Sequence, residues 1–389
     1  MPLPDAVRTS ILSRKWRYKW RRIPQLTLDQ TLWKIHQISY FENIIRHILN
    51  RHEGQVKQFT LSIPYLEDFT YIRQLIGFLS ENGIEHLILK FPIRGKPYKL
   101  PASFFKCVHL RHLSLEDCLI SHPQAFKGFE SLISLKLYNV TILSTLLGSL
   151  ISHCPLLEQL VFLLPGNYHG VIEINAPKLK SLDFTGRVWF INLKTVPLLA
   201  QLSLAFRGGY FLESKHHYTR FFESFCALEH LHLDNHSLKV QEKYQLVFPF
   251  VLTVLKHLYL FDLYQSELYF VACALCLMRS SHIYNIWKSR FLLNHLVDNS
   301  GVPLALDNLD LEGSFGDTTF NNLSIIVIRS IRGTNPHMQL LKLLLAKSPA
   351  LMRIIIEALT YEDYEILKSL IERSKFRCAS PNAEVVLNY

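Results

Sequence analysis

The chain has 389 residues, of which 49% are hydrophobic and 19% charged, a balance that excludes a disordered polymer. A formal charge of +10 admits acidic partners, while apolar runs such as those within 246–255 are too short to cross a bilayer. Seven cysteines (107, 118, 154, 226, 273, 276, 378) show no framework of paired spacings, and no apolar signal-peptide stretch follows the basic N-terminus, so free thiols in the cytosol or nucleus are expected.

Residues 1–22 hold Arg8, Arg14, Lys15, Arg17, Lys19, Arg21 and Arg22 against one acid, Asp5. With Trp16, Tyr18 and Trp20 interleaved, this is the composition of a nucleic-acid arm. Val7, Ile11 or Leu12, and Trp16 recur near helical spacing, which favours a small amphipathic helix with its basic residues solvated. Residues 23–55 read as a linker and a helix, its stripe being Ile38, Phe41, Ile44, Ile45, Ile48 and Leu49 and its stop Arg51-His-Glu-Gly54. Val56-Lys-Gln-Phe-Thr-Leu61 reads as a strand, and a helix from Tyr71 to Leu79 is closed by Asn82-Gly83.

One hexamer then keeps returning. The pattern L-x-x-L-x-L, with Ile or Phe substituting at single positions, starts at Ile84, Leu110, Leu132, Leu157, Leu179, Leu199, Leu228, Leu255 and Leu306. The first eight starts lie 20 to 29 residues apart, the period of leucine-rich repeats. Alternation at the fourth and sixth positions is that of a strand with one buried face. A lone strand cannot bury that face, so neighbouring repeats must stack. Pro155, Pro177, Pro197 and Pro349 precede such strands, where a residue without an N–H is tolerated. Leu143, Leu146, Leu147, Leu150 and Ile151 make one helical face between two of them. The fold class expected is α/β, a leucine-rich-repeat solenoid.

Beyond Leu260 the pattern blurs. Glu267–Met278 reads as a helix and Ile283-Tyr-Asn-Ile-Trp287 as a decayed repeat, while Phe291–Gly301 is either an insertion or a short helix. A strand at 323–328, a helix at 338–346, a proline-then-strand unit at 348–356, a helix around 364–371 and a tail at 376–387 complete the chain.

The stretch from Leu3 to Trp20, followed by Ile23-Pro-Gln-Leu26, resembles the second half of a plant F-box. The resemblance implies that Val7, Leu12, Trp16 and Trp20 pack in the F-box bundle and against a Skp-type adaptor. A complete F-box opens with a helix carrying a Leu-Pro start and an Ile-Leu pair. Met1-Pro-Leu resembles an internal piece, so an N-terminally truncated F-box is expected. Leu340–Leu351 with the tail at 376–387 resembles the FBD domain that follows leucine-rich repeats in plant F-box proteins. The implied organisation is a partial F-box at 1–26, a linker and capping helix at 27–55, repeats at 56–330 and an FBD cap at 331–389.

No chemistry of catalysis is legible. Cys273-Ala-Leu-Cys276 has redox or metal spacing but sits in an apolar helical run without a second ligand pair, so a buried structural pair is expected. There is no P-loop, G-x-G-x-x-G or G-x-S-x-G, and no cofactor or metal is expected. What remains is a surface. The third and fifth hexamer positions lie opposite the core, and His86, His112, Lys136, Asp183, His230, His232, His257, Tyr259 and Asp310 are the candidates for holding a target. Mixed charge without a basic stripe suits a protein partner better than nucleic acid. The family resemblance implies a non-enzymatic substrate receptor of a Skp–cullin–F-box ubiquitin ligase. The alternative is an interaction scaffold or competitor that binds the target without joining the adaptor.

Overall fold

The computed structural model describes residues 18–30, 41–63, 70–93, 96–121, 126, 128–166, 168, 170–187, 190–206, 225–234, 237, 254–264, 275, 277–278, 286–292, 315–332, 335–374 and 378–389. The chain divides into two compact units, Met1–Val196 and Pro197–Tyr389.

In the first unit the strands are β1 (Gln25–Leu28), β2 (Gln58–Ser62), β3 (His86–Lys90), β4 (Tyr98–Lys99), β5 (His112–Glu116), β6 (Cys118–Leu119), β7 (Ser134–Tyr138), β8 (Gln159–Leu163), β9 (Val171–Asn175), β10 (Ser181–Gly186) and β11 (Phe190–Thr195). Strands β1, β2, β3, β5, β7, β8 and β10 form one parallel ladder in chain order. The register is that of the hexamer: Gln58, His86, His112, Ser134, Gln159 and Ser181, all third positions, stand side by side. Fourth and sixth positions therefore line one face, and from Leu87 and Leu89 to Leu182 and Phe184 none is more than 2% exposed. Each such side chain contributes about 1.5–3 kcal/mol by leaving water. A one-residue slip would turn the whole row outwards, so the leucines set the register as well as the core.

The hexamer's first residue closes a turn. The N–H groups of Leu110, Leu132, Leu157 and Leu179 donate to the carbonyls of Cys107, Phe129, Cys154 and Ala176, three residues earlier. Pro155 and Pro177 occupy the second position of two of these turns, which the fixed proline φ suits. They thus lie four residues ahead of β8 and β10, not at the strand entry itself.

Three helices belong to this unit: α1 (Phe41–Arg51), α2 (Thr70–Glu81) and α3 (Ser144–Ser152). Ile45 and Ile48 of α1 and Ile72, Leu75, Ile76 and Leu79 of α2 are buried, as the spacing predicts. In α3 the stripe is narrower than expected: Leu147, Leu150 and Ile151 are buried, but Leu143 is the N-cap and 73% exposed. The expectation of a linker from residue 27 also needs correction, because Gln25-Leu-Thr-Leu28 is β1, with Leu26 and Leu28 fully buried. Two further pairs, β4 with β6 and β9 with β11, are parallel.

Position two of the hexamer carries charges of opposite sign on neighbouring strands, Lys57, Glu85 and Arg111 and then Glu158 and Lys180, with the uncharged Ile133 between the two runs. Lys57 pairs with Glu85 at 2.7 Å, and Glu158 with Lys180 at 2.9 Å. Opposite charges directly across a ladder favour this register over its neighbours. The hydrogen bond from Lys57, against an opposing desolvation, holds the Glu85 carboxyl below its ordinary 4.5, helped by the charges of Lys57, Arg111 and His86. A lowered carboxylate stabilises the fold above its unfolded pKa, and that contribution is lost as pH falls through the folded value. Lys57→Met should accordingly move the Glu85 midpoint up towards 4.5 in an NMR titration. An unmoved midpoint would mean that the pair does not form in solution.

The second unit repeats the scheme. Its strands β12 (Gln201–Phe206), β13 (His230–Asp234), β14 (His257–Tyr264), β15 (Ile286–Leu292), β16 (Ile325–Ile331), β17 (Arg353–Ala358) and β18 (Glu384–Asn388) are parallel and paired in chain order. Helices α4 (Asn335–Lys347) and α5 (Tyr361–Ser374) match the two expected there. At β15 the expected register is off by one. His257 pairs with Ile286 and Leu258 with Trp287, so the hexamer starts at 284, and Trp287, not Ile286, enters the core. Phe291 and Leu292, read as the start of an insertion or helix, are the end of this strand. Of the helix expected at 267–278 only Leu275, Leu277 and Met278 are described, and they are helical and buried. Cys273, Cys276 and the hexamer at 306–311 lie outside the described residues.

Candidate functional site

Strand alternation places third and fifth hexamer residues on the sheet face opposite the core, and parallel in-register pairing brings like positions together. In the first unit this stacks the imidazole of His86 on that of His112, with centroids 4.4 Å apart and planes 11° apart. Lys136 on β7 and Asp183 on β10 occupy fifth positions, with Val161 of β8 between them. Two strand spacings separate them, about 9.6 Å. Asp183 is exposed and Lys136 half-buried. The third-position face has one exception: Ser134 is only 4% exposed, a short side chain between the longer His112 and Gln159.

The second unit builds a denser patch on two adjacent strands. His230 stacks on His257 at 4.3 Å and 5°, and His232 meets Tyr259 edge-on at 5.4 Å. Phe261, two residues along β14, lies 5.7 Å from Tyr259 and extends the aromatic surface. Sequence reading by hexamers missed it, because β14 runs beyond the hexamer to Tyr264. It missed Ile286 for the opposite reason, having placed that residue in the core. Asp310 lies outside the described residues.

Partial burial, then the charges of His86, Arg111 and Lys136, lower the pKa of His112 below its ordinary 6.5. At neutral pH the His112 ring is therefore uncharged, one of its nitrogens donating and the other accepting. Glu229 at position two, hydrogen-bonded by Lys256 at 2.8 Å, has its carboxyl held low in the same manner as Glu85. A groove of about 580 Å3 follows position two in the first unit, lined by Lys57, Glu85, His109 and Arg111 among others. Such surfaces hold a partner by shape, aromatic contact and mixed hydrogen bonding. Among the described residues no group of three or more His, Cys, Asp or Glu could hold a metal ion.

Of the expected adaptor-binding residues, Val7, Leu12 and Trp16 lie outside the described residues. Trp20 sits half-buried in a short 3-10 helix, Lys19–Arg22. The basic residues beside it are not simply solvated. Arg21 and Arg22 reach Glu53 at 3.0 and 3.5 Å, and the N–H groups of Glu53 and Gly54 donate to the Arg21 carbonyl. The Arg21 hydrogen bond is the main reason the Glu53 carboxyl lies below its ordinary value. The end of the segment resembling an F-box is thereby fastened to the end of α1.

Comparison with known proteins agrees with this geometry. The family model described as FBD-associated F-box protein At5g56370, LRR repeats, matches residues 72–220. F-box/FBD/LRR-repeat protein At1g13570 of Arabidopsis thaliana is 27% identical over 403 aligned residues, covering 99% of this chain and 94% of that protein. F-box/FBD/LRR-repeat protein At5g56420 of the same plant is 28% identical over 47% of this chain and 44% of its own length. F-box/LRR-repeat protein 13, also from Arabidopsis thaliana, is 29% identical over 41% of this chain and 36% of its own length. None of these names states a catalytic activity. A repeat period written in leucines, a parallel ladder in that register and a relative aligned almost end to end agree: over nearly its whole length the chain is similar to F-box/FBD/LRR-repeat proteins of Arabidopsis thaliana.

Proposed function

We propose that this protein is the non-catalytic substrate-recognition subunit of a Skp–cullin–F-box ubiquitin ligase. The nearly end-to-end similarity to an F-box/FBD/LRR-repeat protein carries the reading. In it, the parallel ladders are parts of a leucine-rich-repeat solenoid, residues 1–26 form part of an F-box, and residues 331–389 form an FBD cap. Val7, Leu12, Trp16 and Trp20 face the Skp-type adaptor. The target lies on the sheet face, held by Lys136 and Asp183 and by the imidazole pairs, with His232 and Tyr259 as the aromatic anchor. Ubiquitin transfer is left to other subunits. Among the described residues no helix is long and apolar enough to cross a membrane, and the proposed place of action is cytosol or nucleus.

The test is a pull-down of residues 1–389 with a purified Skp-type adaptor from plant extract, repeated with a His232→Ala/Tyr259→Ala variant and a Lys136→Glu variant. Adaptor binding should be equal in all three, while the co-retained target falls about tenfold or more in the variants. Target binding without adaptor binding would instead assign the chain to a scaffold or competitor. Target retention unchanged in both variants would remove the sheet face from recognition.

A further inference from the structure

Among the described residues the second unit's ladder ends on β18. Within the inner strands the core positions are sealed: Ile326 and Ile354 are fully buried, and Ile328 and Ile356 are at most 1% exposed. On β18 the equivalent Val385 is 37% exposed, and Val386 and Leu387 are half-buried. Among the described residues β18 pairs with β17 alone, so one row of its N–H and C=O groups faces outwards. Edge strands of natural proteins are commonly guarded by lysine, proline or a bulge. Glu384-Val-Val-Leu-Asn388 has no such guard, and its one charge, Glu384, is already engaged by Arg353 at 2.6 Å. Helix α5, which packs on β17 and β18, leaves Tyr361 60% and Ile366 44% exposed beside this edge, and Tyr389 stands edge-on to Tyr361 at 5.6 Å.

We propose that this edge is a self-association surface, taking β18 of a second copy of the chain in antiparallel register across a two-fold axis at Val386. The strand's own sequence argues for that occupant. Centred on Val386, the pairing sets Glu384 opposite Asn388 of the other copy, a carboxylate facing an amide donor, and sets Val385 opposite Leu387. No charge meets its like. Because the axis is perpendicular to the sheet, both copies of Val385 and Leu387 stay on the core face, and the two α5 helices flank the join on that face. Such an isologous contact closes on itself. A five-residue strand buries less than a standard interface, so the contact is weak, with a Kd on the order of 10 µM.

Sedimentation equilibrium of the full chain across a range from about 1 to 100 µM should show mass rising from 45.3 kDa towards twice that value. Val386→Lys places two like charges at the axis and should weaken association at least tenfold, while Val386→Thr, uncharged and β-branched, retains it. Under mild oxidation Val386→Cys should cross-link across the axis beyond the level of the unaltered chain, which has exposed Cys378, whereas Val385→Cys should not. A chain that stays monomeric throughout the range would give the edge to a strand of another protein and overturn the proposal. So would a dimer untouched by Val386→Lys, or cross-linking favoured at Val385.

Discussion

Gly128→Ala is expected to destabilise the first unit by about 3–5 kcal/mol, a loss well above that of an ordinary surface substitution. Gly128 holds φ +97, and a Cβ there would stand 2.1 Å from the carbonyl oxygen of His153 and 2.3 Å from its Cβ. The obstacle is mostly backbone, so no rotamer change relieves it. Nor can His153 easily withdraw. It ends α3, its N–H donates to the Ser149 carbonyl at 3.1 Å, and its Nδ1 lies 2.7 Å from the same oxygen. The next residue, Phe129, is fully buried and meets Phe104 and Phe126 edge-on at 5.7 and 4.9 Å. Displacing the Gly128 backbone therefore disturbs an aromatic cluster as well as a helix end. Gly77→Ala is the control. In mid-α2 a Cβ meets nothing within 4 Å, and alanine should stabilise by about 0.5–1 kcal/mol. Urea unfolding followed by circular dichroism reads both. A Gly128→Ala curve within 1 kcal/mol of the unaltered chain would mean that the α3 end is far looser than the structure shows.

The difference between these two glycines is invisible in sequence, whereas the leucine rows are plain in it. What was legible follows from periodicity: within each unit every described hexamer between 84 and 260 became a ladder strand in register with its neighbours, because a one-residue slip would expose two core side chains per repeat. What was missed has two causes. Strand β1 carries a whole hexamer, Ile23-Pro-Gln-Leu-Thr-Leu28, but it stands 33 residues ahead of the next at Val56, outside the period, and was read with the segment resembling an F-box. Strand β9 is weak in periodicity, showing only Ile172 and Ile174 among exposed neighbours. The exposed face was legible as a set of positions, but neighbour relations needed the ladder. That His86 lies on His112 and His230 on His257 is a consequence of parallel pairing, which brings residues 26 and 27 apart in sequence ring to ring. Asp183 and Lys136 were legible as face residues; that Val161 separates them was not. Burial of Ser134 depended on the size of its two neighbours. Chemistry that rests on side-chain length and cross-strand company is read only after the register is known.

Trp287→Ala should be the most damaging substitution in the second unit, removing about 3–5 kcal/mol. The indole is 1% exposed and stands in the ladder between Leu258 of β14 and Ile326 of β16, both equally buried. No other fully buried side chain in the described structure is larger. Periodicity alone puts the repeat at 283 and Ile286 in the core, with Trp287 on the opposite face. The ladder does the reverse, and the two registers predict opposite rankings. In the observed register Ile286→Ala removes a half-buried side chain and should cost about 1 kcal/mol, a small fraction of the Trp287→Ala loss. Trp287→Phe sharpens the test, because it keeps an aromatic body and deletes an indole N–H that has no acceptor among the described residues. Its cost should stay below about 1.5 kcal/mol, the cavity being partly offset by the loss of an unsatisfied donor. Chemical denaturation of the three variants would decide between the registers: Ile286→Ala proving worse than Trp287→Ala would shift β15 by one residue and turn its core row towards the face proposed for the target.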